Sequence, residues 1–138
     1  MDDVIVNKTA SIERCLQRAE EEYRAAGDEF LRDFSRQDAA ILNLLRACEQ
    51  AIDLANYVVR SKRLGVPQTS RESFELLRQN DLIPEALEKN LKAMVGFRNI
   101  AIHNYTKLEM PVVENIIEHH LDDFRSLTKL MLRLSPGQ

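Results

Sequence analysis

SRQDAAILNLLRACEQAIDLANYVVRSKR, from Ser35 to Arg63, reads as the longest helix of the chain. Ile41, Leu44, Leu45, Cys48, Ile52, Ala55 and Val59 recur at helical spacings and make a broad apolar face. Arg46, Glu49, Gln50 and Asp53 fill much of the remainder. Gly65 is expected to stop the helix, with Arg60, Lys62 and Arg63 in its last turn, where cations suit the helix dipole.

The flanking segments follow the same period. Val4 to Tyr23 predicts a first helix, with Ile5, Ile12, Leu16, Ala19 and Tyr23 on one stripe. Ala25 to Asp28 interrupts it, and Glu29 to Phe34 reads as a short turn before the long helix. After a loop at Val66-Pro67-Gln68, Thr69-Ser70-Arg71-Glu72 has the form of a capping box. It opens a short helix with Phe74, Leu76 and Leu77 that ends near Asn80. Ile83-Pro84-Glu85 starts a fourth helix, with Pro84 at a tolerated first-turn position. Its stripe runs through Leu87, Leu91, Met94 and Val95. Met110-Pro111 marks a junction, and Val112 to Leu134 predicts one last helix. Ser135 to Gln138 is expected to be a disordered tail. Four substantial helices with short connections predict an all-α fold: an antiparallel four-helix bundle with an additional short helix, in a single domain over 1–138.

Composition agrees. Gly and Pro number only four each in 138 residues, so breakers are few. The net charge of −3 argues against a general nucleic-acid coat protein, which would be basic. An RNA-cutting enzyme with a local basic cleft remains compatible with it. Cys15 and Cys48 have no CxxC neighbour and read as buried thiols of a reducing compartment. Without a signal-peptide pattern or a stretch of about 18 apolar residues, the expected location is cytoplasmic, away from membranes.

One stretch carries chemistry: Arg98-Asn99-Ile100-Ala101-Ile102-His103-Asn104-Tyr105. A histidine donates or accepts a proton near neutral pH. A guanidinium holds two phosphate oxygens and keeps its charge. Together they supply much of what cleavage of a phosphodiester without a metal needs. On an ideal helix, five residues at about 100° each set Arg98 and His103 about 140° apart. A site using both needs one of two arrangements. Either the helix ends near Ala101 and His103 turns back, or a second copy of the chain supplies its own pair. Asn104 suits a helix end, because Asn tolerates the left-handed conformation. The bland alternative is a histidine complementing the dipole at a helix end beside a solvated arginine.

The chain resembles the HEPN superfamily of small helical ribonucleases, whose signature is an Arg, a polar residue and, after four to six intervening residues, a His. Arg98, Asn99 and His103 match it. Within that superfamily it is similar to the HepT toxins of bacterial toxin–antitoxin pairs. They extend the signature to Arg-x4-His-x-Tyr, matched by Tyr105. Gln37 to Leu44 and Gly65 to Phe74 match as well, and the likeness runs from about Val6 to about Leu127. It implies a metal-independent endoribonuclease acting as a homodimer, with Arg98 and His103 catalytic, Asn99 supporting and RNA as substrate. No cofactor or metal is implied. It further implies a minimal nucleotidyltransferase antitoxin that adds AMP to Tyr105. On this reading His103 moves protons to or from the 2′-hydroxyl or the leaving 5′-oxygen, and Arg98 stabilises charge at phosphorus.

Other candidates rank lower. Glu118-His119-His120-Leu121-Asp122-Asp123 lacks a known metal-ligand spacing and reads as a polar helix face. Arg14, Arg18 and Arg24 are interleaved with Glu13 and Glu20 to Glu22, which reads as a solvated face. The competing function is a non-catalytic helical adaptor that binds a nucleotidyltransferase partner. The intact Arg–His–Tyr set favours the enzyme.

Overall fold

The structure is a computed structural model that describes residues 2–134. It is all-α, with no β-strand among the described residues. Six helices follow one another: α1 (Asp3–Ala26), α2 (Phe34–Ser61), α3 (Ser70–Gln79), α4 (Glu85–His103), α5 (Met110–His119) and α6 (Leu121–Leu134). Single 3-10 turns lie at Gly27–Glu29 and Tyr105–Lys107. The tail expected at 135–138 lies outside the described residues.

The long helices alternate in direction. Tyr57 Oη donates to Asp2 at one end of α1 and Arg36 pairs with Glu22 at the other, which sets α2 antiparallel to α1. Cys48 meets Met94 and Asp38 meets Tyr105, which sets α4 antiparallel to α2. Arg125 grips both carboxylate oxygens of Glu13, and Tyr23 Oη donates to Glu118, so α5 and α6 run back along α1. The predicted antiparallel four-helix bundle is thus formed by α1, α2, α4 and the α5–α6 pair, with α3 as the additional short helix. Its core is apolar: Leu16, Leu44, Leu54, Phe74, Leu91, Phe124, Leu127 and Met131 are all fully buried.

The end of α2 and the start of α3 differ from expectation, while α3 ends beside Asn80 as expected. Gly65 does not stop α2. Arg63 takes the left-handed conformation (φ 54°), and the amide of Leu64 reaches back to the carbonyl of Val59 at 2.9 Å. This is a Schellman end with an arginine where glycine is usual. Asp81 (φ 60°) ends α3 the same way, with the Leu82 amide on the Leu77 carbonyl. The capping box is also altered. Thr69 Oγ1 accepts from the Glu72 amide at 3.2 Å, as expected. The Glu72 carboxylate reaches one residue further back and accepts from the Gln68 amide at 3.1 Å.

The last helix is two helices. The chain breaks at His120 (φ −125°, ψ 1°) between α5 and α6. The His120 ring nitrogen Nδ1 lies 3.0 Å from Asp123, and the Asp123 amide donates to the His120 carbonyl. Asp122 and Asp123 then stand in the first turn of α6, where the dipole favours negative charge. The apolar series Ile117, Leu121, Phe124 continues at helical spacing across the break, so periodicity alone conceals it.

Arg63 carries a left-handed backbone that costs a non-glycine residue about 1–2 kcal/mol. It is exposed, so its side chain packs against little. Arg63→Gly is expected to raise stability by about 0.5–1 kcal/mol and the melting midpoint by roughly 2–5 °C in a calorimetric scan. A lower midpoint would show that the arginine contributes more than its backbone costs.

Candidate active site

Helix α4 changes character along its length. From Leu87 to Ala101 its inner face is buried, through Leu91, Met94, Val95 and Phe97. Past that point Ile102, His103 and Asn104 are exposed. The helix does not end near Ala101; it runs unbroken through His103. Asn104 closes it, its amide donating to the Ile100 carbonyl at 2.8 Å. It does so with φ −146° and ψ 50°, not in the left-handed conformation expected of it. The chain then makes the 3-10 turn that carries Tyr105.

Because the helix is continuous, Arg98 and His103 keep their ideal-helix separation of about 140° around the axis. One chain therefore does not bring the pair onto one face. The four motif residues stand in sequence along the exit of α4, each with its own surroundings.

Arg98 is directed toward α2. Its Nε donates to Glu49, and its Nη1 donates to Asn99 Oδ1 at 3.0 Å. Glu49 and Asn99 thus fix the guanidinium, and Asn99 orients Arg98 within this chain. The pair is partly exposed, with 26% of the Arg98 side chain and 39% of the Glu49 side chain accessible. An incoming phosphate can reach it and can replace Glu49 as the acceptor. Behind it lies Cys48, buried, its thiol 3.8 Å from the Met94 carbonyl. Burial pushes that thiol up to about 12, so it is neither nucleophile nor redox group at neutral pH. Cys15 is buried too.

Tyr105 Oη donates to the carboxylate of Asp38, near the start of α2. Desolvation first, and then this hydrogen bond, push the phenol up to about 12. Sequence reasoning did not single out Asp38 or Glu49 as site residues. A signal was present: the two carboxylates are eleven residues apart, about three turns, so they share one face of α2. That face carries the exposed Leu42 between them.

The other candidates fall away from this site. Arg18 pairs with Glu21 and Glu22, and Arg24 with Glu20, a solvated ionic face as expected. His119 is exposed on α5, and His120 belongs to the α5–α6 break. Around the motif, Ile100, Ile102 and Val112 are 44%, 43% and 46% exposed, an apolar surface beside the charged one.

Helix α4 and the turn after it thus carry an arginine, a histidine and a tyrosine, with carboxylates of α2 beside the arginine and the tyrosine. The family described as "Ribonuclease HepT-like" matches residues 12–131, and the chain belongs to it. It is 51% identical over 124 residues to the mRNA nuclease HepT of Shewanella oneidensis MR-1, covering 90% of this chain and 92% of that one. Its fold matches the tri-AMPylated Shewanella oneidensis HEPN toxin solved in complex with its MNT antitoxin, with a TM-score of 0.91 at 47% identity over 96% of this chain and 99% of that chain. It likewise matches a toxin–antitoxin structure with AMP-PNP, with a TM-score of 0.89 at 46% identity over 95% and 99% of the two chains. The cytosolic YutE of Bacillus subtilis, 14% identical over 91% of this chain and 88% of that one, shares the fold with a TM-score of 0.71.

The Asp38–Tyr105 contact has a titration signature. Asp38→Asn removes the charge and weakens the acceptor, but burial of the phenol persists. The Tyr105 phenol is then expected to titrate below about 12 without returning to the ordinary value near 10. The folded state holds this proton more tightly than the unfolded chain. The resulting stability is fully present below about pH 10, neutrality included, and is lost as pH rises toward about 12, so stability has no dependence on this group around neutral pH. An NMR titration of the labelled tyrosine ring carbon bearing the hydroxyl measures it. An unchanged midpoint in the Asn variant would mean that burial alone sets the shift.

Proposed function

We propose that this chain is a metal-independent endoribonuclease, the toxin of a bacterial toxin–antitoxin pair, that cuts RNA through Arg98 and His103. We further propose that it works as a homodimer and is silenced by a nucleotidyltransferase antitoxin that adds AMP to Tyr105. The observation that carries the reading is the intact Arg98–Asn99–His103–Tyr105 set, delivered to an accessible helix end in a chain of the HepT-like ribonuclease family.

The chemistry needs no group from outside the protein and its substrate. The 2′-oxygen of a ribose bonds to the adjacent phosphorus as its proton passes to a histidine. The bond from phosphorus to the 5′-oxygen breaks, and a second acid protonates that oxygen. Arg98 stabilises the additional negative charge on the phosphoryl oxygens, after exchanging Glu49 for phosphate. Asn99 keeps the guanidinium in place. One chain supplies one motif histidine, so a base and an acid together call for two chains. The wide angular separation of Arg98 and His103 supports the same conclusion. The exposed Ile100, Ile102 and Val112 give such a dimer an apolar surface to bury. DNA lacks the 2′-hydroxyl and should survive.

The AMP reading rests on Tyr105 and on the AMPylated state of the Shewanella toxin. The phenol oxygen attacks the α-phosphorus of ATP and pyrophosphate leaves. Asp38, already hydrogen-bonded to the phenol, is the nearest acceptor for its proton. The product carries a nucleotide and a negative charge beside His103, which repels an RNA phosphate and blocks the approach.

His103 is exposed, so His103→Ala should leave the melting midpoint unchanged and lower RNA cleavage by about 10²-fold or more. Arg98→Lys should lose most of the rate, because an ammonium cannot reproduce the two-pronged contact. Mixing Arg98→Ala with His103→Ala chains should recover part of the activity if the cleft is shared between copies. Chelators should not affect the wild type. Cleavage by the alanine variants at the wild-type rate would remove the motif from the reaction.

For the antitoxin, mass spectrometry after incubation with the nucleotidyltransferase and ATP should find AMP on Tyr105. Tyr105→Phe should gain none there and should resist neutralisation in a growth assay. Normal silencing of the Phe variant would reduce Tyr105 to a packing or substrate-contact residue.

A further inference from the structure

Helix α3 lies antiparallel along α4 in a ladder of ion pairs. Arg78 Nε donates to Glu88 Oε1 at 3.0 Å. One step on, Lys92 Nζ donates to Glu75 Oε2 at 2.6 Å. Each rung moves three or four residues back along α3 and the same forward along α4. The next rung sets Arg71 against Gly96. A β-carbon at Gly96 would lie 3.2 Å from Arg71 Nη2. The guanidinium therefore rests on the bare backbone of α4, in space that the glycine leaves open. Gly96 is in regular helix, so it is this close approach, and not an unusual φ, that uses the missing side chain.

The first two rungs are neutral pairs. The third is a cation with no carboxylate partner among the described residues. Arg71 is exposed. Its position along α4 is specific: Gly96, Asn99 and His103 are spaced three and four apart and share one face. The Arg71 guanidinium thus stands on the line that leads to His103. Seven residues separate Gly96 from His103, about 10 Å along the helix axis.

We propose that Arg71 is a positioning residue that holds a backbone phosphate of the RNA flanking the scissile one. A nucleic-acid strand repeats its phosphates at short intervals, so a strand reacting at His103 and lying along α4 brings another phosphate over Gly96. The planar guanidinium offers two parallel donors to that phosphate, and no carboxylate among the described residues is paired with it. The inference deepens the ribonuclease reading and rests on it. It gives the substrate a direction of travel, along the α3–α4 edge of the bundle.

The test is binding of a single-stranded oligoribonucleotide carrying 2′-O-methyl groups, which lacks the nucleophile, over a series of salt concentrations. Arg71→Gln should weaken binding roughly 3- to 10-fold at low salt. It should also lower the slope of log Kd against log salt by about 0.7, the value for one phosphate contact on a single strand. Arg71→Lys should keep the slope and lose part of the affinity. Gly96→Val, which pushes the guanidinium off α4, should reproduce the Gln result in a chain that keeps Arg71. In cleavage of ordinary RNA, Arg71→Gln should raise KM by a similar factor and leave kcat within about twofold. An unchanged slope and KM in an active enzyme would overturn the role of Arg71 alone. A fall in kcat at constant KM would also overturn it. A wild type that binds the oligonucleotide but leaves ordinary RNA uncut would count against the ribonuclease reading. A wild type that neither binds nor cuts would overturn both.

Discussion

Burial of α2 between α1 and α4 is the constraint on which the other features depend. Ala40, Ile41, Leu44, Ala47, Cys48, Ala51, Leu54, Ala55 and Val58 are all buried, which covers most of the helix circumference. A helix apolar on so many sides must be covered on more than one of them. Alanine at four of these positions lets neighbouring helices come close without leaving voids. The stripe left over is narrow and includes Asp38, Leu42 and Glu49. Once α4 packs antiparallel on α2, that stripe lies beside the exit of α4. Core packing and placement of the motif are therefore set by one helix.

The carboxylates on that stripe do more than fill surface. Arg98 at rest is held by Glu49 and Asn99, and Tyr105 by Asp38. A free arginine would sample many rotamers and lose that freedom on binding phosphate, whereas a held one has already lost it. The cost is competition, because phosphate must displace a carboxylate. Partial exposure of the pair keeps that cost small, since water screens both charges. On the proposed ribonuclease reading, substrate exchange at Arg98 is a replacement of one oxyanion by another.

The architecture was legible because helical periodicity dominates this chain. The stripes on α1, α2 and α4 and the punctuation at Thr69, Pro84 and Pro111 place every long element. What escaped was decided by contacts that sequence spacing does not encode. The break at His120 lies inside an unbroken apolar period, and only the side chains of His120 and Asp123 and the acidic first turn of α6 mark it. The stop at Arg63 uses a residue of poor left-handed propensity, because the reach of the Leu64 amide to Val59 offsets the strain. At the candidate site, Arg98, His103 and Tyr105 were singled out from a local pattern. Glu49 and Asp38 are 49 and 67 residues away from their partners in the chain. The rule that exposes them, carboxylates a whole number of turns apart on one face, gains meaning only once α4 is known to lie there.

Net charge is a weak guide to what this surface can bind, because the charges are not free. Many of the acidic side chains are paired within the chain. Glu20, Glu21 and Glu22 hold Arg24, Arg18 and Arg36, Glu13 holds Arg125, and Glu75 and Glu88 hold Lys92 and Arg78. Such pairs present little field beyond a Debye length of about 8 Å at physiological salt. What a polyanion meets at close range is the residue pattern of one edge. Along the α3–α4 edge, internal pairing stops one rung short of the motif, and Arg71 is left uncompensated over a glycine. An acidic protein can in this way carry a local path for phosphate that its overall charge conceals. On the proposed reading, the same acidic balance disfavours sequence-blind adsorption of RNA elsewhere on the surface and leaves the edge that leads to His103 as the path for a strand.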